Sequence, residues 1–109
     1  MHELSIAESV VEAVLERTAD RHVTTVRLQV GRLCGVVPDA LMFCFDLATL
    51  GTALEGALLQ IDSPIGRARC RDCNSDFALD DLILLCDCGS ADVEVTAGRE
   101  LQVMSVEVV

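Results

Sequence analysis

Apolar residues at helical spacing open the chain. They recur every three or four positions, with polar residues between them, which is typical of a helix with one apolar face. The apolar positions are Leu4, Ala7, Val11, Val14 and Leu15. The polar positions are Glu3, Ser5, Glu12 and Glu16. This pattern predicts an amphipathic helix over about 3–19.

The hydrophobic period then changes from helical to alternating. Between residues 23 and 30, Val26, Leu28 and Val30 alternate with the polar Arg27 and Gln29. Alternation with a period of two places every second side chain on the same face of a strand. We therefore predict a half-buried β-strand over 23–30.

A second helix and a second strand are predicted next. Pro38 suits a first helical position, and the apolar stretch from 40 to 50 stops near Gly51. Because this stretch is more apolar than the first helix, we expect it to be more buried. Residues 57–62 are predicted as a strand that Pro64 terminates. Strand, helix and strand over 23–62 indicate a crossover unit with parallel strands.

The last run, 100–109, is rich in Val and predicts a long strand. Its alternation is imperfect, because Leu101 and Val103 fall in one phase and Met104, Val106 and Val108 fall in the other. A central strand buried on both faces would explain this, and so would a β-bulge.

Size and charge limit the classes of function. A chain of 109 residues fits one domain with a modest core and a small metal-held lobe. The net charge of −10 repels phosphate backbones, which argues against nucleic-acid binding. Acidity suits metal cations or basic partners, although solubility alone explains it equally well. No signal segment and no run of about 18 apolar residues is present, so we expect no membrane association and a cytoplasmic location.

Four cysteines near the end of the chain predict a zinc site. Cys70, Cys73, Cys86 and Cys88 form two close pairs separated by twelve residues. Two tight turns that each offer two sulfurs are typical of structural tetrahedral zinc, and a reducing cytoplasm favours ligands over disulfides. The second pair has one intervening residue rather than the usual two. An Fe–S or rubredoxin-like iron site and four unliganded thiols remain alternatives.

The other two cysteines are assigned differently. Cys44 lies in the apolar helix and is expected to be a small core residue. Cys34 lies in a loop, where a chance thiol is favoured over a weak metal ligand. Residues 65–98 become polar and acidic around the quartet. We interpret them as a metal lobe of short hairpins inserted between elements of a first lobe, which comprises 1–64 and 99–109.

His2 is the other candidate metal ligand. The amino group of Met1, the backbone nitrogen of residue 2 and the imidazole are close enough to chelate one ion, and Glu3 can complete the set with its backbone nitrogen or carboxylate. Nitrogen-rich planar coordination suits Ni(II) or Cu(II) better than zinc. Taken alone the signal is weak, because terminal residues are often frayed and a helix N-terminus opposes a cation. His22 is expected at the surface.

Four segments of the chain together match the pattern of one family. They are Met1-His2-Glu3-Leu4-Ser5, Val30-Gly31 with the loop to Pro38-Asp39, the quartet with Cys88-Gly89-Ser90, and Gly98-Arg99-Glu100-Leu101 leading to Ser105-Val106-Glu107. The N-terminal triplet and the quartet, in this order and at this length, are highly specific. Over its whole length the chain resembles the HypA/HybF family of nickel metallochaperones for NiFe-hydrogenase maturation.

The resemblance implies a fold, two metal sites and partners. The fold is α+β, with two helices on a three-stranded mixed sheet and an inserted zinc-ribbon-like lobe. His2, the Met1 amine and Glu3 would bind nickel, with Asp39 as a secondary candidate, and the cysteine quartet would bind zinc. The GTPase HypB and the hydrogenase large subunit would be partners, and some members also serve urease maturation.

The resemblance implies nickel delivery, and because no nucleophile–base constellation appears in the sequence, we expect the protein to be nonenzymatic. Two alternatives stay open. One is a zinc-ribbon interaction module without a nickel role, and the other is a redox or electron-transfer protein that uses the thiolates.

Overall fold

The computed structural model describes residues 3–109, which form two helices and six strands. In chain order these elements are α1 (Glu3–Thr18), β1 (Val23–Val30), α2 (Pro38–Ala48), β2 (Leu58–Asp62), β3 (Gly66–Cys70), β4 (Asp76–Leu79), β5 (Val93–Ala97) and β6 (Leu101–Val108). The molecule is elongated, with extents of 52 × 21 × 17 Å. Within residues 3–109 no helix has both the length and the apolar character to span a membrane.

The first sheet is mixed and has the order β2-β1-β6. β1 and β2 are parallel, with Val26 opposite Leu59, so the predicted crossover through α2 is confirmed. β6 pairs with the other side of β1 in the antiparallel direction. Two helices with a three-stranded mixed sheet and a second sheet confirm the predicted fold class.

The irregular alternation of β6 has its cause in a register shift. Arg27 pairs with Ser105, but the next residue, Leu28, pairs with Val103, so Met104 is the extra residue of a bulge. The strand is at the edge of the sheet, and only Val106 and Val108 are half-buried. The bulge is therefore the correct explanation, and a central strand buried on both faces is wrong.

The inner face of α1 supplies much of the main core. The buried side chains of this helix are Ile6, Ala7, Val10, Val11 and Val14. The prediction that Leu4 belongs to this face is wrong, because Leu4 is 45% exposed. The helix ends where Ala19 and Asp20 adopt positive φ angles of 50° and 62°. This left-handed pair turns the chain directly into β1.

α2 begins at Pro38, as predicted, but it is less buried than its composition suggested. Leu41 and Phe45 are each 1% exposed and belong to the main core. Met42, Phe43 and Leu47 lie on the solvent side. Because α2 packs on the core through one side only, the expectation of a more buried helix is wrong.

The second sheet has the order β4-β3-β5, with both pairs antiparallel. Its hydrophobic cluster is small and contains the buried Ala68 and Leu79. Leu33, from the loop between β1 and α2, is the third buried member of this cluster. The loop therefore contributes a core side chain to the opposite sheet.

Backbone hydrogen bonds attach this loop to the chain segments that connect the sheets. The N–H of Gly31 donates to the Glu100 carbonyl at 2.8 Å, and the N–H of Arg32 donates to the Pro64 carbonyl at 3.0 Å. A Cβ at Gly31 would lie 2.1 Å from the Gly98 carbonyl oxygen, so a side chain cannot be accommodated there. The division into 1–64 plus 99–109 and 65–98 remains a prediction.

Candidate metal centres

The first cysteine turn directly follows β3. Cys70 is the last residue of that strand and is fully buried. Its N–H donates to the Ser75 carbonyl and its carbonyl accepts from the Asn74 N–H, both at 2.9 Å. Asn74 has a φ of 63°, a left-handed conformation that asparagine tolerates well. The turn is thereby closed, and the N–H of Cys73 points to the Cys70 sulfur at 3.5 Å.

The second cysteine turn repeats this arrangement with one residue fewer. The N–H of Cys86 donates to the Ser90 carbonyl, and the N–H of Gly89 donates to the Cys86 carbonyl, both at 2.9 Å. Gly89 takes the left-handed place that Asn74 takes in the first turn, with a φ of 93°. Glycine permits this conformation without steric cost. The single-residue spacer between Cys86 and Cys88 therefore keeps the same pair of closing hydrogen bonds.

The two turns bring the four sulfurs together. Their Sγ atoms all lie within 4.8 Å of one another. Across the turns, Cys70 and Cys88 are separated by 3.7 Å and Cys73 and Cys86 by 3.6 Å. Zinc–thiolate bonds of about 2.3 Å in a tetrahedron require sulfur separations of about 3.8 Å. The quartet therefore fits a tetrahedral ion, and it contains neither Cys34 nor Cys44.

Polar side chains connect the two turns outside the sulfurs. The Ser90 hydroxyl donates to the Asp72 carboxylate, which joins the second turn to the first. Arg71 forms an ion pair of 2.9 Å with Asp92. These contacts fix the position of one turn relative to the other, as outer partners of a metal site do. The spacing of the cysteines did not reveal them.

The protonation of the exposed thiols is shaped by neighbouring groups. The hydroxyl of Ser75 lies 3.0 Å from the Cys73 sulfur and, with the Ser75 backbone, lowers the pKa of Cys73 to about 6. A backbone contact from Ser90 lowers the pKa of Cys88, but the Cys86 and Cys70 sulfurs outweigh it and raise that pKa to about 12. When no cation is present, a thiolate at one cysteine therefore disfavours ionisation of the neighbouring thiols. A bound dication offsets this repulsion by stabilising all of the thiolates.

The chemistry of the quartet is that of a closed structural site. Four sulfurs occupy all four coordination positions of a tetrahedral ion and leave none for a substrate. Cys70 and Cys86 are buried, whereas Cys73 and Cys88 face solvent. The donor set suits zinc, and it also suits a rubredoxin-like iron, since both ions accept four thiolates.

The predicted nickel ligands are only partly within the described residues. Met1 and His2 lie outside them. Glu3 begins α1, and its carboxylate accepts a hydrogen bond of 3.3 Å from the N–H of Val37. Val37 is the N-cap residue of α2, and Asp39 is exposed in the first turn of that helix. The beginning of α1 therefore contacts the beginning of α2, the helix whose first turn carries Asp39.

The remaining sequence expectations are resolved by burial. Cys44 is half-buried and packs against the main core, as predicted for a small apolar residue, and Cys34 also packs there. His22 is exposed between α1 and β1, as expected. Two features were missed. Ser75 beside Cys73 has no spacing signal, and the placement of Leu33 in the second cluster depends on long-range folding.

Comparison with known families gives one consistent match. The family model described as hydrogenase/urease nickel incorporation, metallochaperone, HypA, matches residues 1–108. A relative named hydrogenase maturation factor HypA from Geotalea uraniireducens is 47% identical over 109 residues, covering 99% of each chain. The protein of the same name from Nostoc sp. is 41% identical over 108 residues, covering 99% of this chain and 96% of its own.

Solved structures agree at the level of the fold. The solution structure of the Ni metallochaperone HypA from Helicobacter pylori is similar, with a TM-score of 0.70 and 24% sequence identity. The similarity covers 99% of this chain and 97% of that one. A second solution structure, of HypA protein, has a TM-score of 0.63 at 20% identity. The arrangement of helices and sheets is thus shared along the whole chain.

Proposed function

The chain belongs to the HypA family of metallochaperones for nickel incorporation into hydrogenase and urease, and on this premise we propose that it binds Ni(II) at its amino terminus and delivers it for NiFe-hydrogenase maturation. The match to residues 1–108 carries the proposal, because it includes the Met1-His2-Glu3 opening. The family is described as a metallochaperone rather than as an enzyme.

The nickel site combines a chain end with the adjoining helix start. His2 supplies the imidazole, the Met1 amine a second nitrogen, and Glu3 a backbone nitrogen or its carboxylate. Asp39 is the secondary ligand, and the contact between Glu3 and Val37 supports its inclusion. Transfer of a metal to another protein requires an accessible site of moderate affinity.

We assign a structural zinc ion to Cys70, Cys73, Cys86 and Cys88. The sulfur separations of 3.6 and 3.7 Å support a tetrahedral ion. The small cluster of the second sheet supports a stabilising role, because few buried apolar side chains are available there. If the purified protein absorbs visible light as iron tetrathiolates do, iron occupies the quartet instead and the electron-transfer alternative is favoured.

Partners follow from the proposed delivery. We propose the GTPase HypB and the hydrogenase large subunit, with urease maturation proteins as a further route. The site of action is then the cytoplasm. The competing function is an interaction module of the zinc-ribbon type, which would bind such partners without binding nickel.

An N-terminal extension tests the nickel site. Residues added ahead of Met1 convert the amine into an amide, so one donor is lost. We expect a short Gly-Ser extension to weaken nickel binding about tenfold or more in calorimetric titration, while zinc content and helicity stay constant. The same extension after Val109 is the matched control and should change nothing. If both extended proteins bind nickel as tightly as the unmodified chain, the amine is not a ligand.

A transfer assay tests delivery itself. Protein loaded with nickel is mixed with the immature large subunit, and nickel in that subunit is measured after separation. Delivery predicts faster loading from the protein than from the same concentration of nickel bound to a small chelator of equal affinity. Equal loading from the two sources would contradict delivery by the protein.

A further inference from the structure

The solvent side of α2 exposes large apolar side chains. Phe43 is 66% exposed and is the most exposed of the three aromatic residues in the chain. Met42 and Leu47 are 42% and 49% exposed on the same helix, and Leu50 just beyond its end is 63% exposed. No element of residues 3–109 covers this side. Grouped exposed apolar residues are typical of protein-binding surfaces, whereas single ones are not.

Carboxylates are interleaved with these apolar residues. At 3.6 residues per turn, Asp39, Phe43 and Asp46 fall along one line on the helix surface. Both aspartates are exposed. Neither has an ion-pair partner among residues 3–109. The surface defined by Met42, Phe43, Asp46, Leu47 and Leu50, called here the α2 face, is therefore both apolar and anionic.

The negative charge of the α2 face favours a cationic partner. A second copy of this chain would bring the same aspartates and a second net charge of −10 to the contact, and like charges in a contact are unfavourable. A cationic partner satisfies the carboxylates. Lysine and arginine suit the mixed surface particularly well, because their alkyl stems pack on apolar groups while their charged ends reach the acids.

Position relates the α2 face to the nickel site. The N–H of Val37, the N-cap of α2, donates to the Glu3 carboxylate, so the helix starts beside the beginning of α1. A partner on the face would therefore bind the helix whose start contacts Glu3, one of the proposed nickel ligands. We propose that the α2 face is the docking surface for a basic amphipathic helix of a partner protein. This inference deepens the proposed function, on which its role in delivery rests.

Peptide binding to the full, zinc-loaded protein tests this inference. The probe is a fluorescein-labelled amphipathic peptide of about 18 residues, with leucines on one face and lysines seven positions apart. A second peptide carries glutamates in place of the lysines. In fluorescence anisotropy we expect the lysine peptide to bind, more weakly as salt increases, and the glutamate peptide not to bind. Failure of the lysine peptide to bind would overturn the proposal.

Variants locate the binding to the helix. Phe43→Ala and Asp46→Lys should each weaken binding of the lysine peptide about tenfold or more. The Asp46→Lys protein should also bind the glutamate peptide better than the unmodified protein does. Leu82→Ala and Glu12→Lys are matched controls, because Leu82 is 63% exposed and Glu12 is an exposed acid of α1. Equal losses in the controls would contradict the assignment, since they would indicate unspecific attraction.

Two further measurements separate the possible failures. Light scattering reports the oligomeric state, and a dimer that Phe43→Ala dissociates would show that a second copy occupies the face, which overturns the proposed partner. Nickel titration of the same variants should give unchanged affinity, because none of them is a proposed ligand. If the unmodified protein binds no nickel, the proposed function fails. If nickel binds normally and the substitutions in α2 leave the affinity for the lysine peptide unchanged, only the docking inference fails.

Discussion

The N–H of Leu33 donates to the carbonyl oxygen of Gly98 at 2.7 Å, and through this bond the loop after β1 is attached to the end of β5. The Leu33 side chain extends into the cluster of the second sheet, beside Ala68 and Leu79. A residue of the loop that leaves the first sheet is therefore attached to the second sheet through both its backbone and its side chain. The same loop continues to Val37 and the start of α2, which Glu3 contacts.

Leu33→Ala is expected to loosen the second sheet more than the first. The truncation leaves a cavity in a cluster with only three buried members, at a cost of about 2–4 kcal/mol. Hydrogen exchange should become faster in 66–97 and change little in α1 and β1. Leu82→Ala is the control, because Leu82 is exposed. Uniform acceleration across both sheets would show that Leu33 supports the whole fold instead.

Cys70→Ala is expected to remove the bound zinc and to unfold 66–97 while α1 and the first sheet persist. A closed thiolate site contributes its binding free energy to folding, and Cys70 is fully buried among the ligands. Metal analysis and hydrogen exchange measure the two effects. Cys34→Ala, outside the quartet, should keep about one zinc per chain. A zinc-free Cys70→Ala protein with unchanged exchange in 66–97 would rule out the structural role.

Ser75→Ala is expected to release zinc at a higher pH. The Ser75 hydroxyl is the largest cause that lowers the pKa of Cys73 to about 6, so it keeps this ligand a thiolate to lower pH. Without the hydroxyl the pKa rises toward the ordinary thiol value, and protons displace zinc earlier as pH falls. We expect the release midpoint to rise by about 0.5 pH unit or more.

A chromogenic chelator follows this release between pH 7 and about pH 4. Ser105→Ala, on the exposed part of β6, is the control and should release zinc at the same pH as the unmodified protein. A midpoint that does not move in Ser75→Ala would mean that the hydroxyl has no influence once the metal is bound.

Local patterns predicted those parts of the fold that depend on local physics. The alternation of Val26, Leu28 and Val30 located β1, and Pro38 located the start of α2, because period and proline geometry act within a few residues. The bulge at Met104 was also visible as a change of phase. The cysteine spacing predicted a quartet because two tight turns need little tertiary context.

What the patterns could not predict depends on long-range packing. Phe43 and Phe45 look alike in the sequence, yet only Phe45 faces the core, because the orientation of α2 is set by its contacts with α1 and the sheet. Leu33 belongs to the second cluster only because the chain returns to it at Gly98. Ser75 was similarly hidden, since a hydroxyl beside a sulfur has no periodic signature.

Nickel titration of two histidine variants tests the central claim most directly. His2 and His22 are the only histidines of the chain, so each variant is the natural control for the other. The untagged His2→Ala protein should bind nickel about tenfold or more weakly, because a nitrogen donor is lost, whereas His22→Ala should match the unmodified chain. Both should retain zinc. Unchanged nickel affinity in His2→Ala would contradict nickel binding at the amino terminus.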